Sequence, residues 1–95
     1  MELRFSARAE ADIIDSYLYG YGTFGPAQAE QYEKDLRRTL ALLADNPHMA
    51  PERPEFDPPV RLHHHGKHHI VYRIERDHIL VIRILREEAA LSALR

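Results

Sequence analysis

The chain has 95 residues, 44% of them apolar and 29% charged, which is the scale of one small domain spanning residues 1–95 with a single modest core. It contains no cysteine, so disulfides, thiolate nucleophiles and cysteine-based metal sites are excluded, and an unstapled small domain fits a reducing, cytoplasmic setting. Thirteen basic residues against fifteen acidic ones disfavour direct nucleic-acid binding through phosphates, and no apolar run reaches the ~20 residues of a membrane span.

Glu2–Phe5 alternates in character over the length of one short strand. Ser6 follows as an N-cap, its hydroxyl placed to accept from an otherwise unpaired backbone N–H. Ile14, Tyr17, Leu18 and Tyr21 recur at helical spacing and share one face of a first helix, while Glu10, Asp12 and Asp15 take much of the remainder. Gly20 and Gly22 are expected to end this helix. Gly25-Pro26 opens a second helix, with proline at the first position, where its missing N–H costs nothing. Ala29, Tyr32, Leu36, Leu40 and Leu43 form one apolar stripe along it, and Asn46-Pro47 stops it. The short glycine-rich link predicts an antiparallel helical hairpin.

Five prolines between Pro47 and Pro59 mark an irregular connection. Period two then takes over. Val60–His65 and His68–Glu75 flank Gly66-Lys67, a two-residue turn with glycine first, as a type II′ hairpin prefers. Arg76-Asp77 makes the next turn. Ile79–Leu85 is a nearly continuous β-branched run that suits a central strand covered on both faces. Residues 86–95 are rich in Ala and Leu and form a helix only when packed on something. The expected fold is α+β, in the order β-α-α-β-β-β, with the helical hairpin on one face of an antiparallel sheet and the first strand at its edge.

Several residues invite a functional reading. Tyr72 and Arg73 are strand neighbours, so they point to opposite faces. Arg83 lies inside an apolar run and must find a carboxylate, carbonyls or solvent. A structural pairing competes there with an exposed role. Leu91 and Leu94, with Ala90 and Ala93, make a small apolar strip that either docks on the sheet or belongs to an interface. Five of the seven histidines fall within Leu62–Ile70. No carboxylate sits beside them in sequence, so no metal site is expected there, and a polar hairpin end with exposed rings is the plainer reading.

The pattern as a whole resembles the ParE branch of the RelE/ParE toxin superfamily over nearly the whole chain. The residues that carry the resemblance are Ser6-Ala7-x-Ala9-x-Ala11-Asp12-Ile13, Phe24-Gly25-x-Ala27-Gln28-Ala29-x-x-Tyr32 and Leu43-Ala44-x-Asn46-Pro47. Gly66-x-His68-x-Ile70-x-Tyr72-Arg73 and Ile82-Arg83-Ile84-Leu85 complete them. The resemblance implies a cytoplasmic, cofactor-free toxin that inhibits DNA gyrase by binding and is neutralised by a ParD-like antitoxin. The residues expected at the antitoxin or target interface are Tyr72, Arg73, Arg83, Arg86, Leu91 and Leu94. After Leu85 the chain reads Arg86-Glu87-Glu88-Ala89-Ala90, where many relatives carry a histidine and a basic or polar cluster. A RelE-type ribosome-dependent mRNA endonuclease is the competing class, and a non-toxic, antitoxin-binding relic is a third. By alignment, two arginines of the RelE branch fall at His69 and Glu88, and a carboxylate has the wrong sign for a developing phosphate charge.

Overall fold

The apolar stripe of the second helix decides the architecture, because it needs a complementary surface of about five side chains. A computed structural model, describing residues 1–86, Ser92 and Leu94, shows where that surface lies. The elements run β1 (Glu2–Phe5), α1 (Ala7–Phe24), α2 (Pro26–Asp45), β2 (Glu52–Arg53), β3 (Val60–His65), β4 (His68–Ile74) and β5 (His78–Leu85). They build a five-stranded sheet in the order β1-β5-β4-β3-β2.

Leu36, Leu40 and Leu43 of α2 join Ala9 of α1 and Ile70, Tyr72, Ile79, Val81 and Ile84 of the sheet in the main core. The β-α-α-β-β-β order and the helices on one face are as expected. The sheet is not wholly antiparallel. β1 pairs with β5 in parallel, Glu2 opposite His78 and Phe5 opposite Val81, whereas β2 to β5 pair antiparallel. Strand alternation has period two in either direction, so the pattern of β1 carries no information about its sense.

The first helix also differs from expectation. It continues through Gly20 and Gly22 to Phe24 and is closed by Gly25, whose φ of 91° releases the chain and whose N–H donates to the Tyr21 carbonyl. Gly20 lies instead at the helix–helix crossing, where an added Cβ would stand 3.7 Å from that of Ala29. Ser6 caps α1 as expected, accepting from the Ala9 N–H at 3.0 Å. The face of α1 turned to the core carries Ala9 and Ile13, while Ile14 and Leu18 are 59% and 61% exposed.

At the hairpin, Gly66 takes a positive φ of 58° and Lys67 does not, the signature of the II′ turn. The proline-rich connection supplies two features its composition concealed. Glu52–Arg53 adds β2 at the edge, and Phe56 is buried on the face of the sheet away from the helices. There it packs with Val60, Leu62, Val71 and Leu85, joined by Ile82 and Leu94.

Removing methylenes from the α2 stripe leaves a cavity that the sheet cannot collapse into. Leu40→Ala is expected to cost about 2–5 kcal/mol in urea denaturation. Leu42→Ala, on the exposed side of the same helix, is expected to stay within about 0.5 kcal/mol of the parent.

Candidate functional site

The two helices, the β3–β4 turn and the end of β5 enclose a cleft of about 530 Å³. Its walls are mainly apolar, from Tyr19, Phe24, Ala29, Ile84 and Leu85, and its charges come from Asp12, Asp15, Lys67, Arg83 and Arg86. The charged groups come from α1, the β3–β4 turn and the end of β5, so the cleft exists only in the folded chain.

Asp12 organises one wall. Its Oδ2 accepts from Arg83 Nε at 2.9 Å, its Oδ1 from Arg83 Nη2 at 3.2 Å, and Oδ2 again from the Ile84 backbone N–H at 2.9 Å. This fork is two-fold and charge-assisted, which makes it strong as well as directional. The hydrogen bonds to Asp12 raise the pKa of Arg83 further. The pairing reading of Arg83 is therefore the one that the geometry satisfies.

Arg86 is held differently. Its guanidinium lies 3.8 Å over the Tyr19 ring centroid and donates to the Tyr19 hydroxyl at 2.9 Å. That contact lowers the Tyr19 pKa, and it leaves Arg86 exposed at the cleft rim.

The floor is a relay of neutral groups. Ser16 Oγ lies 3.3 Å from His68 Nε2, His68 Nδ1 meets the Tyr32 hydroxyl, and that hydroxyl reaches the His65 carbonyl at 3.4 Å. One order satisfies every group: Ser16 donates to Nε2, Nδ1–H donates to the phenol oxygen, and the phenol donates to the carbonyl. Burial pushes the Tyr32 phenol up to about 12, so it stays protonated. Burial, then the Arg86 cation and His65, pull His68 below its ordinary value. His65 is similarly lowered by burial, and its Nδ1 lies 3.0 Å from Thr39 Oγ1.

The other expected site residues spread over the fold. Tyr72 is fully buried in the main core and donates to the Pro47 carbonyl at 2.8 Å, so it presents no surface to a partner. Arg73 lies on the opposite face, its Nη2 3.2 Å from Glu75 Oε1. Leu94 packs on the second apolar cluster. Leu91 lies outside the described residues. Asp12, Ser16, Tyr19 and Tyr32 are among the cleft residues that sequence reasoning left without a site role. A signal existed for Asp12, which falls three residues after Ala9 on the inward face of α1. Among the described residues no three potential metal ligands converge.

The comparisons with known proteins agree with this geometry. Residues 3–91 match the model of the family described as ParE toxin of type II toxin-antitoxin system, parDE. The chain belongs to the ParE toxin family. Toxin ParE1 of Caulobacter vibrioides is 30% identical over 84 residues, covering 88% of this chain and 86% of that protein. A solved structure titled as the chromosomal ParDE TA system from P. aeruginosa shares the fold, with a TM-score of 0.78 at 24% identity. The match covers 93% of this chain and 97% of the other. The ParE fold thus accounts for the helical hairpin on a mixed sheet.

The depressed imidazoles give this ParE-family chain a pH-dependent stability. His63, His65 and His68 all have folded pKa values below the ordinary 6.5, so the unfolded chain binds protons first as pH falls. Their neutral forms are held at no cost above pH 6.5, and stability is lost as pH drops below it. The melting temperature is expected to fall between pH 7.5 and 5.5, with a shallower fall in His68→Gln. An equal fall in that variant would place the proton uptake elsewhere.

Proposed function

We propose that this ParE-family toxin acts by binding, with DNA gyrase as its target and a ParD-like antitoxin as its neutraliser. The observation that carries this reading is the cleft itself. It is apolar-walled, and both of its arginines are already engaged: Arg83 by Asp12 and Arg86 by Tyr19. Phosphodiester cleavage needs cationic groups free to meet developing charge, with an acid and a base in reach. Of the two positions that align with RelE arginines, His69 is buried on the sheet against the His64 ring. The other, Glu88, lies outside the described residues. An apolar cleft with a cationic rim suits a protein segment that offers apolar side chains and carboxylates.

The antitoxin reading runs from that cleft to the helical hairpin and the outer sheet face, with Arg73, Arg86 and the C-terminal Leu91 and Leu94 along its path. An antitoxin tail that orders only on binding needs such a long contact path. Arg83 supports this surface through Asp12 rather than by direct contact.

Purified protein in a gyrase supercoiling assay, and co-purification with the product of the adjacent reading frame, test the reading. Supercoiling is expected to be blocked and then restored by that product. Arg86→Glu, at the exposed rim, is expected to slow antitoxin association and flatten its salt dependence, with a smaller effect on dissociation. Rapid mRNA cleavage on polysomes with gyrase unaffected would favour the endonuclease.

A further inference from the structure

The first helix carries a second apolar face that the fold leaves outside. Ala7, Ala11, Ile14, Leu18 and Tyr21 are spaced four, three, four and three residues apart, and every one is exposed. This is a heptad seam, the pattern by which one helix packs along another. It lies opposite the inward face bearing Ala9 and Ile13. A helix apolar on both sides is a helix buried on both sides.

We propose that this seam is a self-association surface on which two copies of the chain pack α1 against α1 in antiparallel sense. The side chains select that arrangement. With a two-fold axis between Ala11 and Ile14, Ala7 meets Leu18 of the second copy and Ala11 meets its Ile14. Each of these layers sets a small residue against a large one, which lets the backbones approach and the layers interlock, with Tyr21 beyond the paired span. The flanks agree. Arg8 on one edge falls beside Asp15 of the second copy, twice by symmetry, and neither residue is in an ion pair with another described residue. On the other edge Glu10 falls beside the hydroxyl-bearing Tyr17. A parallel pair would bring Glu10 against Asp15 and stack large on large, so charge and size both reject it. The interface is isologous and therefore closes at two copies.

The contact covers about three helical turns, short of the ~800 Å² per partner of a standard stable interface. A contact that small holds two copies only weakly, so the dimer belongs to concentrated toxin. The seam borders the cleft at Asp15 and lies on the hairpin that the antitoxin reading also uses, but the inference concerns the toxin alone and goes beyond that reading.

Sedimentation velocity on the toxin alone, over roughly 1–300 µM, tests it. A reversible monomer–dimer equilibrium is expected, and Leu18→Asp is expected to abolish it. Asp15→Arg should weaken the dimer about tenfold, and combining it with Arg8→Asp should restore it, which non-specific clustering would not do. The chain has no native cysteine, so orientation is read directly. Mixing Ala7→Cys and Leu18→Cys proteins under mild oxidation should give the mixed crosslink in excess over either like pair. A monomer throughout the range overturns the proposal. So does a dimer indifferent to Leu18→Asp, or an excess of like-pair crosslinks. If the toxin stays monomeric while Leu18→Asp loses antitoxin binding, the seam belongs to the antitoxin instead.

Discussion

One carboxylate ties the two halves of this protein together. Asp12 sits on α1, and its three acceptor contacts all go to β5: two to the Arg83 guanidinium and one to the Ile84 backbone N–H. Ser16, Tyr32 and Thr39 tie the hairpin to the His65–His68 end of the sheet by hydrogen bonds, whereas the apolar packing along β5 is non-directional and fixes contact area but not rotation. The fork fixes both. With both side chains only 15–19% exposed, the pair is sheltered from much of the screening that weakens surface ion pairs. The cleft depends on that rotation, since Asp12, Ser16 and Tyr19 enter it from α1 while Arg83 and Arg86 enter from the strand end.

The sheet is covered unequally on its two faces. The helix side has the continuous core around Tyr72 and Ile79, whereas the other side relies on Phe56, borrowed from the proline-rich connection, and on Leu94. This explains why the central run from Ile79 to Leu85 is apolar on both faces although helices lie on one. It also places the polar exceptions. Arg73 occupies the outer face beside Glu75, and the His64 and His69 rings meet edge to face, with centroids 4.3 Å apart across neighbouring strands.

What the sequence disclosed follows from the range of the forces involved. The α2 stripe, the Ser6 cap, the Pro26 start and the Gly66 turn are set by neighbours within four residues, and all are present in the fold. The direction of β1, the burial of Phe56 and the partner of Arg83 depend on residues far along the chain, which periodicity does not encode. The α1 stripe of Ile14, Tyr17, Leu18 and Tyr21 is one face, as its spacing requires, but amphipathicity says nothing about which apolar face meets the core. Small residues decided that: Ala9 and Gly20 permit close approach to sheet and helix, so the bulkier side turned outward. The cleft was legible only in pieces, because Asp12, Ser16, Tyr32, His68 and Arg83 are brought together by four separate elements.

The parallel edge pairing has a consequence for how the molecule is made. The first strand and the cap of α1 are held by the last strand: Ser6 Oγ donates to the Ile82 carbonyl, 76 residues away. Translation delivers β1 well before β5, so the sheet has no seat for β1 until the segment from His78 onward has left the ribosome. The local helical hairpin can form early, but the long-range closure comes last and is the slow, high-contact-order step. A nascent toxin is thus incomplete until β5 emerges, and its cleft, whose far wall is Arg83–Arg86, comes into being only then.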